Sequence, residues 1–159
     1  CWNDCKAKGR TYPKEWAHVA YEAYSGGLDL VKDDENLVDQ KFCGWEERLH
    51  EVVKAIDTVG GETGQNHLYS CNITDRYSRM VKRLDYLNSL KLQKHIIVML
   101  DVYVMGMAAL QDILEMTKRY GFATHGHRAG FAAANRGSYG VNFQIYEKFY
   151  RQINAQCEK

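Results

Sequence analysis

Gly26-Gly27-Leu28-Asp29-Leu30-Val31-Lys32-Asp33-Asp34-Glu35-Asn36 passes from apolar to charged within a single step. Leu28 to Val31, with one aspartate among them, reads as a buried strand that begins after the glycine pair. Its C-terminal end delivers a lysine and three consecutive carboxylates to one spot. Adjacent acids repel, so the cluster needs a compensating cation or water. A hard divalent ion such as magnesium, held by one or two carboxylates with positions left open, answers that need. A solvated charged turn after an ordinary strand answers it as well. The rest of the chain bears on the choice.

On the N-terminal side, Pro13 suits a first helical turn, and Trp16, Ala17, Val19, Ala20, Ala23 and Tyr24 follow at helical spacing until Gly26-Gly27. Earlier still, Lys6 and Lys8 alternate, which on a strand end points both to one face. On the C-terminal side, a loop from Leu37 to Cys43 leads to a helix striped by Trp45, Leu49, Val52, Val53 and Ile56 and interrupted at Gly60-Gly61. Leu68 to Ile73 reads as a strand, and Thr74-Asp75 as the N-cap of a helix carrying Met80, Val81, Leu84 and Leu87. Ile96 to Leu100 is a strand apolar on both faces, with Asp101 at its end. Gly106 to Tyr120 is helical around Leu110, Ile113 and Leu114. Phe122 to Thr124 is a brief strand leading into His125-Gly126-His127-Arg128. A last helix, Val141 to Asn154, is expected to bury Phe143, Ile145, Tyr146 and Phe149 and to expose Glu147, Lys148 and Arg151.

Strands that alternate with helices and are apolar throughout indicate a parallel α/β sheet. Polar residues gather at the strand ends: Lys6 and Lys8, Lys32 to Glu35, Asn72, Asp101, and His125 to Arg128. In a (β/α) barrel all such ends converge on one site, whatever their separation in sequence. No glycine-rich phosphate loop follows the first strand, which weakens the case for an open, doubly wound nucleotide-binding sheet. The expected fold is therefore α/β, a partial TIM (β/α)8 barrel of about five β/α units. A full barrel usually takes roughly 250 residues, against 159 in this chain.

At 45% hydrophobic the chain can bury one ordinary core, and a formal net charge of +1 argues against a nucleic-acid or acidic-membrane partner. No apolar run is long enough to span a bilayer and no signal peptide is evident, so a soluble, cytoplasmic protein is expected. The five cysteines, Cys1, Cys5, Cys43, Cys71 and Cys157, are irregularly spaced, and reduced thiols are expected.

The strand-end residues suggest a chemistry together that none suggests alone. Lysines and an arginine on one rim suit a phosphorylated, anionic substrate, because arginine binds phosphate bidentately and lysine adds point charge. A histidine, titrating near neutrality, is a natural acceptor for a proton on carbon. Taken singly, a histidine at a strand end is more often structural, and surface lysines usually do nothing.

Three stretches carry a resemblance: Lys6-Ala7-Lys8, Gly26 to Asn36, and His125-Gly126-His127-Arg128-Ala129-Gly130. They resemble the large, catalytic chain of ribulose-1,5-bisphosphate carboxylase/oxygenase (RuBisCO), and are closer to its archaeal form III and II/III members than to the plant enzymes. Asp39-Gln40-Lys41-Phe42, Glu62-Thr63-Gly64, Cys71-Asn72-Ile73-Thr74 and Asn135-Arg136-Gly137 support the match. The similarity runs from about Lys6 to Arg151, so residues 1–159 are expected to be a fragment of the catalytic barrel domain or a truncated product.

The resemblance implies that Lys32 becomes a carbamate by reacting with CO2 and, with Asp34 and Glu35, binds Mg2+. It implies that Lys6 is a catalytic lysine assisting proton transfer, that His127 is a base, and that Lys8, Arg128 and His125 contact substrate, with Arg128 on a phosphate. Asp33 and His125 take supporting roles. The implied substrates are a phosphorylated sugar, ribulose 1,5-bisphosphate, with CO2 or O2, and the implied assembly is a homo-oligomer of large chains.

Two departures stand out. Asp4 occupies a position where the family typically has a small hydroxyl residue, and Phe131 one where many members have a histidine. The later barrel strands with their mobile lysine loop, and the amino-terminal domain that completes a neighbouring subunit's site, have no counterpart among these residues. Two alternatives stay open: a RuBisCO-like enolase or isomerase of methionine salvage, and a non-catalytic chain that only associates with full-length subunits.

Overall fold

The computed structural model describes residues 11–153. They fall into two compact units, one of residues 11–72 and 94–97, the other of residues 73–93 and 98–153.

The first unit contains α1 (Pro13–Ser25), β1 (Leu30–Lys32), α2 (Trp45–Thr63), β2 (Leu68–Asn72) and the first two residues of β3 (Ile96–Asp101). Pro13 starts α1, where a missing N–H costs nothing, and the Tyr12 N–H donates to the Glu15 carboxylate at 2.8 Å. Trp16, Ala17, Ala20 and Tyr24 form the buried stripe of α1, which packs along α2 through the latter's Trp45, Leu49, Val52, Ile56 and Val59. β1 runs parallel to β2, with Val31 opposite Tyr69 and Lys32 opposite Ser70. The Tyr24 hydroxyl donates to the Leu68 carbonyl at 2.8 Å, tying α1 to β2.

Two expectations are corrected here. The first strand is Leu30–Lys32 rather than Leu28 to Val31. The Leu28 N–H is still bonded to the Ala23 carbonyl at 3.1 Å, and Gly27 turns the chain at φ +91, so residues 26–28 cap the C-terminal end of α1. Lys32 therefore lies inside the strand. The second helix also runs straight through Gly60-Gly61, ending only where Gly64 adopts a left-handed φ of 72°.

The second unit contains α3 (Tyr77–Ser89), the remainder of β3, α4 (Val102–Met105), α5 (Met107–Tyr120), β4 (Ala123–His127), α6 (Phe131–Ala134) and α7 (Phe143–Gln152). α5 packs on α3 and β4 and buries Leu110, Ile113 and Leu114 as expected. Thr74 and Asp75 do not cap α3, whose N-cap is Arg76. Thr74 Oγ1 instead accepts the Asp101 N–H at 2.9 Å, while Asp75 Oδ2 takes Arg83 at 2.9 Å and Arg79 at 3.4 Å. β4 extends beyond Thr124 to include His125 and His127.

The expected burial of α7 is corrected more deeply. Phe143, Ile145 and Phe149 are 37%, 61% and 40% exposed, Tyr146 and Glu147 are half-buried, and Tyr150 is the buried residue. Tyr103 sets this rotation, since its ring meets Tyr146 at 5.0 Å and Tyr150 at 4.9 Å, one helical turn apart. Arg151 and Lys148 are exposed.

The strands follow chain order in one parallel sheet, β1-β2-β3-β4. A doubly wound sheet reverses its order at a switch point, whereas consecutive order is that of a singly wound barrel wall. The fold is α/β, as expected, with four strands among the described residues; the strand anticipated around Lys6 and Lys8 lies outside them. Cys43 and Cys71 are both buried, and Cys1, Cys5 and Cys157 lie outside the described residues. No described helix is long and apolar enough to cross a membrane.

The continuous α2 has a measurable consequence. Gly61 lies in the last turn of α2 with nothing within 4 Å of an added Cβ, so Gly61→Ala should stabilise the protein by up to about 0.5–1 kcal/mol through helix propensity. Gly64→Ala should destabilise it by about 1–2 kcal/mol, because Ala resists the left-handed region. Urea denaturation midpoints should move in opposite directions; a stabilising Gly64→Ala would place the helix end elsewhere.

Candidate active site

In the first unit the charged cluster is built on Asp33. Its N–H continues the β ladder to the Ser70 carbonyl at 3.0 Å, and the residue has no solvent exposure. Oδ1 accepts the Tyr69 hydroxyl at 2.5 Å, and Oδ2 accepts the Asn72 N–H at 3.0 Å and Arg48 Nη2 at 3.2 Å. Arg48 Nε lies 3.2 Å from Oδ1 and 3.3 Å from the Tyr69 hydroxyl. Arg48, also without exposure, donates through Nη1 to the Cys43 carbonyl at 3.1 Å and through Nη2 to the Leu37 and Val38 carbonyls, both at 3.0 Å.

These groups perturb one another in a consistent sense. Burial opposes the Arg48 charge, but the Asp33 carboxylate, together with Tyr69 and Cys71, outweighs it and holds the guanidinium above its ordinary pKa. Burial first, and then the Asp33 charge, push the Tyr69 phenol well above its usual value. Tyr69 is thus a neutral donor to a carboxylate.

The residues flanking Asp33 are arranged differently. Lys32, the last residue of β1, is 9% exposed, and its Nζ lies 3.4 Å from the Asp33 carbonyl oxygen. Asp34 Oδ1 accepts both the Asn36 N–H, at 2.9 Å, and Asn36 Nδ2, at 3.0 Å. The Glu35 carbonyl accepts Asn72 Nδ2 at 3.2 Å. Among the described residues, no group of three or more His, Cys, Asp or Glu side chains is placed to hold a metal ion. The donor set here is two hard oxygen acids, Asp34 and Glu35, beside a lysine that in its cationic form has no acceptor. That set suits a magnesium ion once the lysine carries an oxygen-donating carbamate.

In the second unit, His125 and His127 lie two apart on β4, hence on one face. Their ring centroids are 6.3 Å apart. His127 Nδ1 is 3.3 Å from Asp101 Oδ1 and accepts the Ala129 N–H at 3.2 Å. One tautomer cannot serve both partners: an unprotonated Nδ1 accepts from Ala129, whereas a protonated one donates to Asp101. Asp101 is fixed in turn by Thr74. Arg128 follows the strand and is exposed, with its carbonyl accepting the Phe131 N–H at 3.0 Å. Phe131 is 8% exposed and packs on Tyr103 at 5.3 Å and Phe143 at 5.1 Å, an aromatic core position rather than a polar one. Lys6 and Lys8 lie outside the described residues, as does Asp4.

Sequence reasoning passed over Arg48 and Tyr69. A signal for Arg48 existed: it falls three residues after Trp45 and four before Val52, so it sits on the apolar stripe of α2. Only a charge with a buried partner occupies such a position.

Comparison with known proteins adds an independent line. Residues 6–156 match the family model "Ribulose bisphosphate carboxylase large chain, catalytic domain". The chain is 39% identical over 141 residues to the ribulose bisphosphate carboxylase of Archaeoglobus fulgidus, covering 88% of this chain and 31% of that protein. It is 41% identical over 142 residues to that of Thermococcus kodakarensis, covering 89% and 31%. Among solved structures, the dimeric archaeal Rubisco of Hyperthermus butylicus superposes with a TM-score of 0.86 at 39% identity, over 94% of this chain and 35% of that one. The octameric Rubisco of Pyrococcus horikoshii, in complex with sulfate, gives 0.85 at 38% identity, over 93% and 34%. The chain therefore spans about a third of the length of the relatives it matches.

The buried pair makes a stability prediction. Arg48→Met strands the Asp33 carboxylate and should cost about 3–5 kcal/mol. Lys54→Met, which removes an exposed partner of Glu51 at 2.7 Å, should cost less than about 1 kcal/mol. Denaturant titration checks the contrast, and equal losses would contradict the burial assigned to Arg48.

Proposed function

This chain belongs to the ribulose bisphosphate carboxylase large-chain family, with archaeal relatives, and from that membership we propose that it supplies the magnesium and proton-transfer residues for carboxylation of ribulose 1,5-bisphosphate. The observation that carries this reading is the fate of Asp33. Of three consecutive acids it alone has no solvent exposure, and its carboxylate is held by Arg48, the Tyr69 hydroxyl and the Asn72 N–H. Lys32, Asp34 and Glu35 are then the set to which carbamate and metal chemistry applies.

In this reading uncharged Lys32 Nζ attacks CO2, forming an N–C bond and releasing a proton, so a cation becomes an anionic oxygen donor. Asp34 and Glu35 complete the protein's share of a magnesium site. Bound magnesium supplies a Lewis acid for negative charge developing on substrate oxygen. His127 accepts a proton and holds it at Nδ1 against Asp101, and Arg128 forms a bidentate contact to a substrate phosphate. His125 contacts substrate from the same strand face. Lys6, as a catalytic lysine, and Lys8, as a substrate contact, rest on the family resemblance alone. The named relatives are a dimer and an octamer, and assembly of this chain with further large chains is proposed on that basis.

The test is direct. With magnesium and 13C-labelled bicarbonate, the natural polypeptide should show a carbamate resonance that disappears in Lys32→Ala. Its absence from folded protein would overturn the carbamate assignment. Turnover of a thio-substituted ketose phosphate in place of the bisphosphate would favour the salvage enolase or isomerase.

A further inference from the structure

We propose that Arg48 and Tyr69 are positioning residues for the ligand segment at the end of β1: acting through Asp33, they set the side to which Lys32 and Asp34 turn and the start of the turn that carries Glu35. The inference rests on the reading of those three residues given above and adds to it what orients them.

The Asp33 side chain is fixed on both oxygens by groups from two other elements, Arg48 on α2 and Tyr69 and the Asn72 N–H on β2. With Asp33 held inward and its N–H still in the ladder, alternation along an extended chain turns Lys32 and Asp34 to the other side. The same guanidinium grips the far part of the segment through the Leu37, Val38 and Cys43 carbonyls. One planar fork thus clasps the segment at its start and along its length. Lysine cannot reproduce this, since it offers a point charge without the fixed donor geometry.

A purely structural role for this cluster is the weaker account. Burying a carboxylate and a guanidinium carries a desolvation cost that well-packed apolar residues of similar volume would avoid, often with a gain in stability. A buried pair retained at the root of a ligand segment is better explained by the geometry it imposes. Groups that orient metal ligands typically change metal affinity by about 10–100-fold when removed.

The experiment measures, in the natural polypeptide, the magnesium concentration giving half of the maximal 13C-carbamate signal. Tyr69→Phe removes only a hydroxyl, and Arg48→Lys keeps the charge but loses the fork. Both should raise the half-saturating magnesium concentration by about tenfold or more. Ile113→Val, a core trim in the second unit, should lower thermal stability and leave that concentration unchanged. Wild-type magnesium dependence in Tyr69→Phe would overturn the proposal, and so would an equal shift in Ile113→Val. Should Arg48→Lys fail to fold, Tyr69→Phe decides. No carbamate signal in the unaltered protein would instead remove the functional reading, and this inference with it.

Discussion

Asp33 and Arg48 meet at 3.2 Å with neither side chain exposed to solvent. Each would be costly to bury alone, because an isolated charge loses far more hydration than the interior returns. Together, and only with every remaining lone pair and proton engaged, they can be accommodated. That requirement fixes much else in the first unit. It calls for the Tyr69 hydroxyl and the Asn72 N–H on one side, and for three loop carbonyls on the other. β1, β2, α2 and the connecting loop are therefore held by one polar knot set among apolar helices.

The second unit solves a related problem with less burial. His127 faces a carboxylate and a backbone N–H at the same ring nitrogen, so the tautomer it adopts decides which of the two it engages. Asp101 is held for this by Thr74, from the segment that precedes α3. In both units a polar residue beyond or at a strand end is oriented by a neighbour from the adjacent connection.

Much of this architecture is legible in residue spacing. α1 and the buried stripes of α2 and α5 follow from helical periodicity, and β3 from an apolar run too short for a helix. The strand-end charges and their family resemblance come from residue identity alone. The departures share a cause. Gly60 and Gly61 read as a stop because propensity is local, yet α2 carries its apolar stripe to Val59 and its packing outweighs two glycines. Thr74 and Asp75 read as a cap because their side chains suit one, yet Asp101, Arg79 and Arg83 claim them from a distance in sequence. In α7 two apolar faces compete, and the ring of Tyr103 selects Tyr146 and Tyr150 over Ile145 and Phe149.

The candidate site divides along the same line. Residue order alone determined that Lys32, Asp33, Asp34 and Glu35 stand together and that His125 and His127 share a strand face, because neighbours in sequence cannot be separated. It also carried the family resemblance, because a resemblance of this kind rests on residue types in a fixed order. What only the tertiary structure decided is which of three adjacent acids is buried. That choice depends on Arg48 and Tyr69, 15 and 36 positions away, and on a desolvation penalty that exists only once the surrounding core has closed.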